Sequence, residues 1–185
     1  MTNGAKRFLS LAFAGAFCAI TMGLAAQGVQ AASTSAAAAS QGEVLLTVSV
    51  EGGEGAARQL TLDDMKALGA EHFETTTIWT SGMQSFTGVP LADLLAQFDL
   101  SSDTPGASVK ARAVNDYTVD IPLSDAVSGG AIIAYLRNGK TMSLRGKGPL
   151  WLVYPYDSNP DYRTEAVYSR SIWQLNQLIL RSASE

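Results

Sequence analysis

The sequence predicts an α+β domain that is predominantly β. Short runs rich in β-branched residues recur along the chain, separated by clusters of Gly, Pro, Asn and Asp that are typical of tight turns. Apolar residues at helical spacing occur only in short segments, and the sequence shows no internal repeat. Because short strands predominate over one or two short helices, we expect a sheet-rich mixed domain.

The first residues predict a secretory signal peptide. Lys6 and Arg7 precede an uncharged apolar stretch at residues 8–26, and Val29-Gln30-Ala31 fits a small-residue cleavage site. The alternative is a retained membrane anchor, since about 19 residues lie near the lower limit for crossing a bilayer. The Ala and Gly content of the stretch favours removal, so we expect residues 1–31 to be cleaved.

Beyond the signal peptide, the sequence predicts a leader and one folded domain. Residues 32–42 are small and of low complexity, which is typical of a flexible leader. Residues 43–185 have the length of a single domain. We therefore expect a periplasmic protein that has no stable membrane span after cleavage.

Charge and rare residue types exclude several classes of function. Loss of Lys6 and Arg7 with the signal peptide takes the formal net charge from −4 to −6, and we expect no nucleic-acid partner for so acidic a domain. The single cysteine, Cys18, lies in the signal peptide, which excludes disulfides, zinc–thiolate sites and a cysteine nucleophile from the domain. The single histidine, His72, is expected to be structural or at the surface. No metal site is predicted.

The first part of the domain predicts strand, turn, helix and strand in that order. Val44–Val50 is rich in β-branched residues and predicts a strand, and the glycines at residues 52–55 predict a turn. Thr61 followed by two aspartates is typical of a helix N-cap, and we expect this helix to end at Leu68. Residues 74–79, with three consecutive threonines, predict a second strand.

The middle of the domain predicts a helix followed by a hairpin. Pro90 suits the first turn of a helix, where its missing N–H costs nothing. Residues 108–114 and 118–121 predict paired strands on either side of a break at residues 115–117, and residues 122–126 predict a short helical turn. The apolar residues that give the helix its spacing are Leu91, Leu94, Leu95 and Phe98.

The last part of the domain predicts three strands, at residues 131–136, 150–154 and 172–180. Asn138-Gly139 suits a reversing turn after the first of them because both positions accept a positive φ. Residues 158–170 carry mixed charges and predict a mobile surface loop. The tryptophans flank apolar runs and are expected to pack in the core or at the rim of a cleft: Trp79, Trp151 and Trp173.

A basic segment follows the Asn138-Gly139 turn. Arg145 and Lys147 alternate with glycines that allow a close backbone approach, and Arg137 ends the preceding strand. If these side chains converge, their field predicts a place to hold an anion. The alternative is a solvated basic loop, since charged loop residues are usually exposed.

Four segments in the same order resemble one known family. Residues 86–95 read Phe-x-Gly-Val-Pro-Leu-x-x-Leu-Leu, and residues 115–123 contain Asp-Tyr followed by Ile-Pro-Leu. Residues 138–142 begin with Asn-Gly, and residues 148–150 read Gly-Pro-Leu. Together these segments resemble the sulfite oxidase-like molybdopterin-binding domain over residues 80–155.

The resemblance implies an α+β, predominantly β fold that binds a molybdopterin through backbone groups, Arg and His. In the catalytic members one cysteine thiolate ligates molybdenum, because soft anionic sulfur suits that metal. Here residues 75–82 contain no cysteine, Lys147 stands near the position of the family's His, and Trp151 replaces a pterin-binding Arg. Molybdopterin is therefore implied by the resemblance alone, and we do not expect molybdenum.

The preferred hypothesis is a non-catalytic periplasmic module with a sensory or accessory role. It would use the family's cofactor cleft for a small anionic or pterin-like ligand. Three cationic side chains would supply charge, and three tyrosines would form walls and hydrogen-bonding tips. The six predicted ligand-binding residues are Arg137, Arg145, Lys147, Tyr117, Tyr154 and Tyr156.

Two alternatives remain open. One is a molybdopterin-dependent oxidoreductase that binds its cofactor without a cysteine ligand, with a Ser or Thr oxygen on the metal. The other is a domain whose cleft is filled and whose partner is an envelope enzyme or receptor. The missing thiolate favours the ligand-binding module over the oxidoreductase because that thiolate carries the defining electronic role.

Overall fold

The computed structural model describes residues 42–52 and 57–181. The predicted signal peptide and the leader up to residue 41 lie outside the described residues, as does most of the predicted turn at 52–55. None of the helices in the described part has the length and apolarity needed to cross a bilayer.

One five-stranded sheet joins the two ends of the described chain. Its spatial order is β2-β1-β10-β5-β6, with β1 and β10 parallel and the remaining neighbours antiparallel. The predicted first strand and the predicted hairpin are confirmed as β1 and as the β5–β6 pair. The strands are β1 (Val44–Val50), β2 (Arg58–Thr61), β5 (Ser108–Ala113), β6 (Thr118–Pro122) and β10 (Leu175–Arg181).

A second, antiparallel sheet carries the family-like segments. Its order is β3-β4-β7-β8, and β9 also pairs with β7. Asn138 and Gly139 form the predicted turn between β7 and β8 with φ of 51° and 72°, which confirms their need for positive φ. The strands are β3 (Glu71–Thr75), β4 (Gln84–Pro90), β7 (Ile132–Arg137), β8 (Lys140–Thr141) and β9 (Trp151–Val153).

Three short α-helices connect the strands in the part of the chain that the structure describes. The first two confirm predicted helices: α1 (Leu62–Ala67) is capped by Thr61 and Asp64 in a reciprocal capping box, and α2 (Leu91–Ala96) follows Pro90 directly. The third is α3 (Glu165–Arg170). Single 3-10 turns occupy Leu123–Asp125, as predicted, and also Leu144–Gly146 and Pro160–Tyr162.

The predicted mobile loop at 158–170 is wrong, because this segment is structured. Thr164 accepts a hydrogen bond from the Val167 backbone N–H at 3.4 Å and so caps α3. Val167 is buried and Tyr168 packs against the core, so α3 presents an apolar side to the domain. The loop was predicted from the mixed charges of the segment, and the helix cap at Thr164 was overlooked.

Two strand predictions are displaced. The predicted strand at 74–79 is β3 at Glu71–Thr75, and residues 76–83 form a loop instead. The predicted last strand at 172–180 begins at Leu175, because Gln174 has a φ of 54° and breaks the extended backbone. His72 lies in β3 at the surface, with Nδ1 3.1 Å from the Thr87 hydroxyl, as expected for a structural or surface residue.

Buried side chains from both sheets form one core. Leu46 and Val48 come from the first sheet, whereas Phe86 and Ile133 come from the second. Gly88 lies so close to β7 that a Cβ there would overlap the Ile133 carbonyl, which explains the glycine in the segment at 86–95. The architecture confirms the predicted class, α+β and predominantly β.

Candidate functional site

The loop at 76–83, hereafter the 76–83 loop, is fixed to the segment that follows β9. Both oxygens of Asp157 accept hydrogen bonds from Thr76, from its backbone N–H at 2.6 Å and its hydroxyl at 2.9 Å. Arg163 donates to the same carboxylate at 2.6 Å, and the Asp157 N–H donates to the Thr75 hydroxyl at 3.1 Å. The backbone hydrogen bond from Thr76 is the main cause that lowers the pKa of Asp157 below its usual value. The loop therefore has a charge-assisted anchor.

Trp79, in the same loop, lies at the centre of an aromatic cluster. Its ring meets those of Trp151, Tyr156, Tyr168 and Trp173 edge-on, with centroids 5.6–6.3 Å apart. Edge-to-face contacts at this separation are favourable because the positive ring edge faces the negative ring face. The buried Trp151 indole N–H donates to the Ser171 carbonyl at 3.2 Å, which ties the cluster to the end of α3.

This cluster forms one side of a cavity of about 720 Å³, hereafter the aromatic pocket. The volume lies within the range of small-molecule sites. Its aromatic lining residues are Trp79, Tyr117, Tyr168 and Trp173. Three aliphatic side chains complete the apolar wall, namely Ile78, Ala113 and Ile172.

The polar lining of the aromatic pocket contains one charged group, Glu165, in the first turn of α3. Asn115 stands on the other side and accepts the Tyr117 backbone N–H at 3.4 Å. Ser169 and Ser171 donate to carbonyls of their own helix, at 2.7 Å and 2.9 Å respectively. Glu165 makes no ion pair with any residue that the structure describes. Its carboxylate is thus the group available to a ligand.

Tyr154 and Tyr156, two of the predicted ligand-binding residues, do not line this pocket. Both rings are buried: the Tyr154 hydroxyl donates to Asp125 at 2.7 Å, and the Tyr156 hydroxyl donates to Ser171 at 2.6 Å. Burial raises the pKa of both phenols, so they stay protonated at neutral pH. Arg170 forms an ion pair with Asp125, the residue that accepts the Tyr154 hydroxyl. These tyrosines fasten α3 to the sheet.

Tyr117 alone of the six predicted ligand-binding residues lines the aromatic pocket, where it is 52% exposed. Lys147 lies outside the lining, with Nζ 3.7 Å from the ring centroid of Trp173. Burial, with the nearby charge of Arg137 as a second cause, lowers the pKa of Lys147. Arg145 is exposed in its 3-10 turn. The structure does not bring the six residues together in one site.

Arg137 lines a different and smaller groove of about 370 Å³. Lys140, Ser143 and Gly146 contribute to the same groove, which lies along the β7–β8 turn. The Asn138 side chain there is committed to β4, because it accepts the Ser85 N–H and donates to Gln84, each at 2.9 Å. This groove holds positive charge and has no aromatic wall.

The comparisons with known proteins identify the family. Residues 43–157 match the model of the family described as "Oxidoreductase molybdopterin binding domain", which is more than half of the chain. The chain therefore belongs to the oxidoreductase molybdopterin binding domain family. The comparison with curated proteins gives no match.

A solved structure supports the fold. The sulfane dehydrogenase SoxCD from Paracoccus pantotrophus is similar at a TM-score of 0.52 and 16% sequence identity. The match covers 74% of this chain but only 37% of that chain, so this protein spans little more than a third of its relative's length. At this identity the likeness establishes a sulfite oxidase-like fold alone.

The residues at the aromatic pocket do not fit a molybdenum-bound pterin that carries a phosphate. The pocket lining contains no Cys, His, Lys or Arg, and its one charge repels a phosphate. The threonine hydroxyls at 75–77 and Thr80 already make hydrogen bonds within the loop or to Asp157. Among the described residues, no cluster of three His, Cys, Asp or Glu side chains has a geometry suited to a metal ion. Both the metal ligand and the phosphate partners are missing here.

Proposed function

We propose that this protein is a periplasmic, non-catalytic ligand-binding module of its family, with a sensory or accessory role. The observation that carries the proposal is the aromatic pocket next to the 76–83 loop. The resemblance puts the molybdenum-ligating cysteine of catalytic members in this stretch of chain, and here it contains threonines. The pocket lining contains no thiolate, which favours binding over redox chemistry at a metal.

Two further observations support binding in place of catalysis. Asp157 holds the 76–83 loop in place. Both the backbone N–H and the hydroxyl of Thr76 donate hydrogen bonds to its carboxylate. A hydroxyl that donates to a carboxylate is a poor candidate for a metal ligand, because ligation needs that oxygen deprotonated and turned to the metal. The role in the periplasm rests on the sequence pattern of the predicted signal peptide at 1–31.

The test is elemental and pterin analysis of protein purified from a native host that makes the cofactor. A catalytic family member produced in the same cells is the control for cofactor supply. We expect this protein to contain far less than one molybdenum per chain, whereas the control is loaded. About one molybdenum per chain, with a pterin fluorophore released on denaturation, would establish the oxidoreductase instead.

The location is tested by N-terminal sequencing of the exported protein, whose first residue should lie near Ala32. An intact Met1 in the membrane fraction would contradict the location.

A further inference from the structure

We propose that the aromatic pocket binds a planar aromatic cation, with Glu165 as its anionic partner. This inference rests on the proposed function as a ligand-binding module and names the class of ligand. The basic residues of the sequence predicted an anionic ligand, but they lie outside the pocket lining. The ligand proposed here therefore carries the opposite charge.

The shape and chemistry of the walls select a flat apolar molecule. Four aromatic rings and three aliphatic side chains line the cavity, and its volume of about 720 Å³ accommodates a two-ring system with room to spare. Tyr117 is the most exposed ring among them, at 52%. We assign the main stacking contact to Tyr117, because the ring of Trp173 is already engaged by Lys147 at 3.7 Å.

The charges select a cation. Glu165 is the one charged residue of the lining, and it makes no ion pair with any residue that the structure describes. Aromatic faces attract cations through the ring quadrupole, so the rings other than Trp173, which Lys147 already engages, act in the same direction as the carboxylate. The formal charge is −4 for the whole chain and −6 once Lys6 and Arg7 are removed with residues 1–31, which adds a favourable long-range field for a positive ligand.

A series of three two-ring probes that differ in charge tests the proposal. The probes are N-methylquinolinium, quinoline (neutral at neutral pH) and 1-naphthoate, measured by isothermal titration calorimetry on the exported protein. We expect the cation to bind about two- to thirtyfold more tightly than quinoline, which is the range that a cation over an aromatic face commonly gives. The anion should bind most weakly.

Matched variants separate the two contributions. Glu165→Gln should weaken N-methylquinolinium and leave quinoline binding unchanged, and the aromatic faces that remain should preserve part of the cation's advantage over quinoline. Glu43→Gln is the control, because Glu43 lines a separate groove next to β1. Tyr117→Ala should weaken both probes, the cation more because it also loses the attraction of the ring face, and we expect little change in stability because the side chain is 52% exposed.

Several results would overturn the proposal. They are equal binding of the three probes, tightest binding of 1-naphthoate, no binding of any probe, or equal effects of the two glutamate substitutions. Each of these results leaves the proposed function standing if the native protein is free of molybdenum. Molybdenum in the native protein would overturn the proposed function whatever the probes do.

Discussion

The aromatic pocket and the basic segment at 137–147 hold the two groups of side chains that a binding site needs, but in separate places. The pocket has aromatic walls and one carboxylate. The basic segment has Arg137, Lys140, Arg145 and Lys147, yet its groove is about half the volume and has no aromatic wall. Positive charge and the aromatic cavity therefore do not coincide in this member of the family.

The two regions also differ in how they are held. Side chains far apart in sequence fasten the pocket: Asp157 to Thr76, Tyr156 to Ser171 and Trp151 to Ser171. The basic segment also has bonds to distant residues, between Asn138 and both Ser85 and Gln84 and between Gln174 and the Leu144 carbonyl, but these lie at the exposed surface. The buried bonds to Ser171 keep the cavity in one shape, whereas the exposed bonds of the basic segment define a turn. We therefore place recognition at the pocket.

The largest expected difference between the regions is in stability. Trp151→Ala removes a fully buried ring and its hydrogen bond to Ser171, and we expect it to lower the free energy of unfolding by about 3–5 kcal/mol. Leu144→Ala in the basic segment, where the side chain is 52% exposed, should change it by less than about 0.5 kcal/mol. Urea denaturation followed by circular dichroism measures both. Comparable losses would show that the basic segment is as integral to the fold as the pocket.

Most of the fold was predictable because its signals are local. The β-branched run at 44–50, the Thr61 cap and the Asn138-Gly139 turn each dictate backbone conformation within a few residues. The displaced strand at 74–79 shows the limit. The Thr76 N–H donates to the carboxylate of Asp157, which lies 81 residues away, and is therefore not available for pairing with a strand. No local pattern contains that bond.

The site was predictable only in part, for a similar reason. Tyr117, one of the predicted ligand-binding residues, lines the pocket. The hydroxyls of Tyr154 and Tyr156 instead donate to Asp125 and Ser171, and no sequence pattern places these partners beside them. Glu165 was missed because its segment was predicted to be a loop. The available signal was Thr164 followed by Glu165, Val167 and Tyr168, which is a cap, an acid and an apolar side at helical spacing.

A smaller effect is expected at the anchor of the 76–83 loop. Asp157→Asn weakens the acceptor for Thr76 and removes the ion pair with Arg163, and we expect a loss of about 1 kcal/mol because the carboxylate is partly exposed. Since the pKa of Asp157 is lowered in the fold, its contribution is present above the usual value of 3.8 and is lost as pH falls below it. Urea midpoints measured from neutral pH down to about pH 3 should therefore converge for the two proteins.

The nearby Asp161→Asn is the control for that experiment. Asp161 is exposed in the 3-10 turn before α3, so it tests the effect of removing one negative charge without touching the anchor. Its stability should follow the unsubstituted protein at every pH. An equal loss in both variants would mean that net charge, and not the bond to Thr76, sets the acid sensitivity.

The smallest expected effect separates two neighbouring cations of the basic segment. Lys147 Nζ lies 3.7 Å from the Trp173 ring centroid and 5.4 Å from that of Trp151, whereas Arg145 is exposed. The ring contact stabilises the charge, but burial and Arg137 oppose it, as the lowered pKa of Lys147 shows. We expect the ring contact to prevail, so Lys147→Met should lower the free energy of unfolding by about 0.5–1 kcal/mol and Arg145→Met should leave it unchanged. If Lys147→Met raises stability in urea denaturation, repulsion and burial dominate, and the lysine is a strained neighbour of the pocket wall.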